Sequence, residues 1–314
     1  MMLLKLVPAE TNLKFLKLSK ICLTVSGAIA IASIIALIVL GLNFGIDFKG
    51  GTLMEIQTNS AIADISSIRK KIGGTGLDDV QIQEFGEPNE VLIRVGQQKG
   101  GEKAQQEVVK KVKEVLGSSV EFRRVEVVGP TVSGELIQSG IISVIAAIFA
   151  VLVYIWFRFE WQFSVGAVTA LVHDVILTIG LFAVLQLEFN LSIIAAILTI
   201  VGYSLNDTVV VFDRVRENLR KYKKMPMIDL LDLSINHTLS RTVLTSVTTL
   251  LALVALYVFG GEVIRGFTFA MIWGVLIGTY SSVFIASPIL YLLGVKRDWS
   301  GSTVAKANDK PATT

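Results

Sequence analysis

The chain has 314 residues, 52% hydrophobic and 18% charged, with a formal net charge of +3 and a mean hydropathy of +0.64. Soluble domains carry about 25% charged residues, so a chain this apolar, with its apolar residues in blocks, reads as a membrane protein and excludes a disordered chain, a coiled coil or a secreted disulfide scaffold. Its one cysteine, Cys22, excludes an intrachain disulfide and a multi-cysteine metal site, and two histidines are a poor basis for a zinc enzyme.

A bilayer core about 30 Å thick needs about 20 apolar residues as helix. Six stretches meet that length: 21–42, 137–157, 163–187, 191–212, 238–259 and 266–293. The first is about twice the length of a signal-peptide core and ends at no clear cleavage site, so it reads as a retained anchor. Lys and Arg set the orientation. Lys5, Lys14, Lys17 and Lys20 precede the first span, Arg158 follows the second, and Arg214, Arg216, Arg220, Lys221, Lys223 and Lys224 follow the fourth. The short loops on the other side hold only Arg265. Residues 1–20 and 294–314 therefore read as cytoplasmic, the latter as a solvated, disordered tail. The basic run reads as topology and not as a nucleic-acid site.

Residues 43–136 fall on the outer side and carry 12 basic and 14 acidic residues, a near balance. Alternation predicts strands over Thr52–Thr58, Val80–Phe85, Val91–Val95 and Val120–Val128, with a turn holding Gly86, Pro88 and Asn89. Helical spacing covers Ile62–Ile72 and Glu102–Leu116. The order βαββαβ is that of a small α+β ferredoxin-like unit. No nucleophile–base pair, phosphate nest or metal cluster stands out there, so the domain reads as a binding or lever element, with no cofactor or metal implied.

Ionisable groups inside hydrocarbon cost several kcal/mol and mark pathways or relays. The third span holds His173 and Asp174 near its middle. The fourth holds Asn206 and Asp207, with Asp213 near its end, and the fifth opens with Arg241. Asp207 and Arg241 both fall in the cytoplasmic half, on neighbouring antiparallel spans. An acid–base pair there would be switchable by a proton, or would stand as a static structural pair. Thr199, Gly202, Asn206 and Asp213 share one face of the fourth span, and Thr238, Arg241, Thr245 and Thr248 line the fifth. In the last span Gly266, Ala270, Gly274, Gly278 and Ser282 recur every four residues, a spacing that lets another helix approach closely. Gly50 and Gly51, before the first strand, form either a hinge or a tight turn needing positive φ.

Several of these segments together resemble the SecD/SecF family of the resistance-nodulation-division superfamily. They are Gly45-Ile46-Asp47-Phe48-Lys49-Gly50-Gly51, the run Val128–Gly134, Val172-His173-Asp174, the runs Gly202–Thr208 and Phe212–Asn218, and Leu239-Ser240-Arg241-Thr242. The resemblance spans residues 10–295 in order, and one small outer domain with six spans resembles the family's SecF branch. It implies a bacterial inner-membrane subunit that pairs with a SecD-like subunit as a heterodimer. Such a pair uses the proton gradient to help a preprotein finish crossing after SecA and SecYEG have begun, with YajC or YidC as further partners. It also implies a proton-sensing role for Asp207 with Arg241. Against these stand a small-molecule exporter half, a structural assembly factor, and an intramembrane enzyme using Asp207 and Asp213. Six residues place that last pair about 120° apart on a helix, so no enzyme is expected.

Overall fold

The computed structural model describes residues 11–295, so the expectations for 1–10 and for 296–314 lie outside the described residues. Six helices are long and apolar enough to cross a membrane. They are α1 (Phe15–Leu40), α5 (Pro130–Arg158), α6 (Trp161–Leu185), α7 (Leu191–Lys221), α8 (Met227–Phe259) and α9 (Glu262–Ser281). α9 runs through a π-helical turn, Ser282–Ala286, into α10 (Ser287–Leu292). Pro288 has no N–H for a regular i−4 bond and its ring would crowd a regular turn, which accounts for a π turn at this place.

Most of these helices outrun their apolar stretches. α1 begins at Phe15 and not at 21, α5 begins at Pro130 as its first residue, and α7 continues to Lys221. Hydropathy detects only the part in hydrocarbon, while backbone hydrogen bonding carries the helix on into polar turns. α6 and α9 lie innermost; α1, α5 and α8 expose most of their surfaces. The small residues of α9 lie along α7: a Cβ at Gly274 would run into Ile200, and one at Gly278 would come 3.0 Å from the Ser204 Cβ.

The segment between α1 and α5 forms β2 (Gly51–Thr58), α3 (Ile65–Gly73), β3 (Val80–Phe85), β4 (Glu87–Val95), α4 (Gly101–Leu116) and β5 (Val120–Val128). Its four strands make one antiparallel sheet in the order β3-β4-β2-β5, with β2 and β4 central. Met54, Ile56, Val91, Ile93 and Val95 pack on Ile68, Ile72, Val108, Val112 and Leu116 from the two helices. Burying each large side chain here contributes about 1.5–3 kcal/mol. The β3–β4 hairpin turns at Gly86 alone, with φ +74°, so Pro88 and Asn89 belong to β4 and not to a broad turn.

Gly50 and Gly51 have φ of +70° and +132° and are buried. Gly51 already pairs with Val128 across the sheet, and a Cβ on it would lie 2.5 Å from the Val95 carbonyl oxygen. Both glycines thus stand in a tight turn at φ values that favour glycine. Gly51→Ala is expected to cost about 1–3 kcal/mol through strain at this φ, read as faster amide exchange in β2 and β4 of the intact protein. Unchanged protection would refute that account.

Two fastenings tie distant parts of the chain. On one side of the bundle Leu16 N donates to Asp232 Oδ1 (2.9 Å), and the Asn236 amide both accepts from Leu13 N (2.9 Å) and donates to Leu13 O (2.8 Å). On the other side β1 (Asn43–Phe44) pairs in parallel with β6 (Glu188–Phe189), the loop between α6 and α7. Just after β1, the short helix α2 (Ile46–Lys49) leads through Gly50 into β2.

Candidate functional site

Asp207 stands on α7 with only 5% of its surface exposed. Its Oδ1 accepts a hydrogen bond from Thr242 Oγ1 of α8 at 2.9 Å. Its Oδ2 is buried with no hydrogen-bond partner among the described residues. A carboxylate oxygen left bare in a low-dielectric interior is costly when charged.

Arg241 does not form the ion pair with Asp207 that the sequence suggested: no such pair within 4.0 Å occurs among the described residues. Its side chain is exposed on α8. One residue along a helix is a rotation of 100°, and it is Thr242 that faces Asp207. Asn206, Gly202 and Thr199 are likewise exposed on α7, as is Thr248 on α8. The polar seam is therefore split: Asp207 and Thr238 are buried, Asp213 and Thr245 half-buried, and Thr199, Gly202, Asn206, Arg241 and Thr248 exposed.

Asp174 forms a second, deeper node on α6, at 1% exposure. His173 Nδ1 donates to its Oδ1 at 3.0 Å, while Ser204 Oγ of α7 and Ser281 Oγ of α9 donate to its Oδ2 at 2.6 and 2.7 Å. Three helices thus converge on one carboxylate. Gly278 on α9 leaves the room for Ser204 to reach it. His173 Nε2 is buried with no hydrogen-bond partner among the described residues.

Asp213 belongs to neither node. It lies near the end of α7 and pairs with Arg158 at 2.8 Å, both partly exposed, and Arg158 also covers the Phe159 ring at 4.8 Å. Of the six polar residues suggested by sequence, the structure brings His173 to Asp174 and leaves Asp207, Asn206, Arg241 and Asp213 in separate settings. Thr242, Ser204 and Ser281 were missed. Hydroxyl residues in apolar helices are common, and no spacing rule says which one meets a carboxylate on another span.

Comparisons with known proteins place this architecture. Residues 107–296 match the family model described as protein export membrane protein SecD/SecF, C-terminal, and residues 35–62 match the SecD/SecF GG motif. The protein translocase subunit SecF of Cereibacter sphaeroides is 50% identical over 94% of this chain and 93% of its own length. The protein translocase subunit SecDF of Brucella abortus is 45% identical over 93% of this chain. The crystal structure of SecDF, a translocon-associated membrane protein from Thermus thermophilus, superposes with a TM-score of 0.81 at 32% identity over 93% of this chain. This chain spans only 39% of each of those two longer proteins. Matched nearly end to end by SecF subunits and over part of the fused chains, this multi-pass membrane protein belongs to the SecD/SecF family, in its SecF branch.

Proposed function

We propose that the chain is the smaller half of a proton-driven auxiliary of protein export, working with a SecD-like partner to complete preprotein translocation after SecA and SecYEG have begun it. The observation that carries this reading is Asp207: a buried carboxylate with one oxygen satisfied by Thr242 and the other bare. A proton arriving from the outer side neutralises Oδ2 and removes the cost of a half-solvated charge. α7 is then free to settle differently against α8. The helix carries that shift toward its outer end, where the four-stranded domain biases an emerging polypeptide outward. No bond-making chemistry is assigned to the chain.

The βαββαβ order and the strand order β3-β4-β2-β5 support a ferredoxin-like reading of the outer domain. Its periplasmic side follows from charge. Lys14, Lys17, Lys20, Arg158, Arg214, Arg216, Arg220 and Lys221 lie toward the helix ends opposite the four-stranded domain, which supports a cytoplasmic placement of that end.

The partner's place follows from the outward polar face. Asn206 on α7 and Arg241 on α8 are exposed at membrane depth, where facing lipid costs several kcal/mol. Covering them with another bundle removes that cost. The fused relatives, in which this chain matches one part of a longer protein, support a SecD-like occupant. SecYEG, the preprotein and either YajC or YidC complete the expected assembly.

Vesicles holding a preprotein stalled partway, with ATP removed and the gradient imposed, test the activity. Translocation should finish only when the chain is present, and an equal response without it would end this reading. Photocross-linkers at Asn206 and Thr248 should capture the SecD-like subunit, whereas one at the exposed Trp156 of α5 should not. The reverse pattern would remove the proposed docking face.

A further inference from the structure

The outer end of α7 is capped from far away in sequence. The residue before it, Asn190, gives the helix no side-chain cap; its Oδ1 accepts instead from Ser192 Oγ at 2.6 Å. The first backbone N–H of the helix, on Leu191, donates to Asp47 Oδ2 at 2.8 Å, across 144 residues of sequence. An acidic group at a helix N-terminus satisfies a bare donor and meets the positive end of the helix dipole.

Asp47 is not alone in this junction. Gly45 N donates to the Phe189 carbonyl at 2.9 Å, and a Cβ on Gly45 would lie 3.2 Å from that of Asn190. Arg94, on β4, pairs with Glu188 at 2.5 Å. Phe44, Phe48 and Phe189 pack ring against ring at 5.7 to 6.1 Å, with Phe182 of α6 behind them. α2 then enters the central strand β2 through the buried Gly50, whose N–H is bonded to the Ile46 carbonyl at 2.8 Å. No slack segment separates the end of α7 from the middle of the sheet.

We propose that Asp47 is a positioning residue that couples α7 to the outer domain: its cap holds the proton-carrying helix to the base of β2, with the Arg94–Glu188 pair as a second link. The proposal rests on the proton-driven reading of Asp207. It assigns Asp47 a hydrogen-bond acceptor's task, so its charge is dispensable and its acceptor oxygen is not. Asparagine caps about as well as aspartate, and alanine does not.

The test uses the complete complex in vesicles, with a donor–acceptor probe pair reporting the distance from α4 to the membrane plane. Wild type and Asp47→Asn should both change that distance and finish translocation when the gradient is imposed. Asp47→Ala should insert and pair normally but lose roughly two- to thirty-fold of the gradient-stimulated rate, the equilibrium equivalent of a lost cap. Equal responses from Asp47→Ala and wild type overturn the proposal. So does a loss in Asp47→Asn as deep as in Asp47→Ala, which would make the charge the active feature.

A second measurement needs no gradient. Asp207→Asn mimics the protonated site and should alter amide exchange in β2 when Asp47 is present and leave it unaltered in the Asp47→Ala background. A wild type that ignores the gradient would refute the proton-driven reading. The exchange experiment would then decide the coupling by itself, and coupling that survives in Asp47→Ala would refute it.

Discussion

Asp207→Asn is expected to abolish the gradient-stimulated part of preprotein translocation in an otherwise normal complex. The substitution keeps an oxygen in place to accept from Thr242 Oγ1, which now lies 2.9 Å from Oδ1, and keeps the side-chain volume. It removes a negative charge whose second oxygen has no hydrogen-bond partner among the described residues. Leaving such an acceptor buried and unpaired costs about 1–3 kcal/mol, more when charged. The amide N–H₂ that replaces this oxygen is itself unpartnered, so the variant should be about as stable as the native protein in detergent unfolding while being inactive. A full response to the gradient would make Asp207 a structural residue. A marked loss of stability would show that the carboxylate's charge holds the helices together.

Asp174→Ala should have the opposite signature. Here the carboxylate is fully used: His173, Ser204 and Ser281 all donate to it from within 3.0 Å. Truncation leaves three polar groups from three helices without their acceptor at 1% exposure. Removing one partner from a buried charged network costs about 3–5 kcal/mol, so the variant should unfold at clearly lower denaturant or temperature, with α7 and α9 separating first. Asp174→Asn, which keeps an acceptor, should lose less. Stability within about 1 kcal/mol of native for Asp174→Ala would mean the node is not a brace, and a proton-relay role for His173 and Asp174 would become the better account.

Much of this is legible in the amino-acid sequence. The alternation in Thr52–Thr58 and Val120–Val128 marked two strands because one face of each must be buried, and the apolar blocks marked six spans because hydrocarbon tolerates little else. The ends were less legible. Met227–His237 and Arg214–Lys221 are polar or mixed turns that stay helical beyond the apolar stretches, and composition alone does not mark such turns. The site itself was half visible. Charge in an apolar span is conspicuous, so Asp174, Asp207 and Arg241 stood out. Which neighbour a side chain meets depends on helix rotation, and a single residue separates Arg241, turned outward, from Thr242, turned in. The role of Asp47 is not legible in its motif, because its partner is a backbone N–H, which no residue type announces.

The hold of α8 on the start of the chain has a consequence for how the protein is made. α1 leaves the ribosome well before α8, yet Lys14 gives it no side-chain cap. The carboxylate that takes the Leu16 N–H sits at Asp232, 216 residues later, and the amide that clasps Leu13 sits at Asn236. Until that part of α8 has been synthesised, the start of α1 has only water or headgroups for these donors. Assembly of the bundle is thus closed late, by the fifth span returning to the first. A nascent chain truncated before Asp232 should be inserted but unlatched, and open to proteolysis ahead of Phe15.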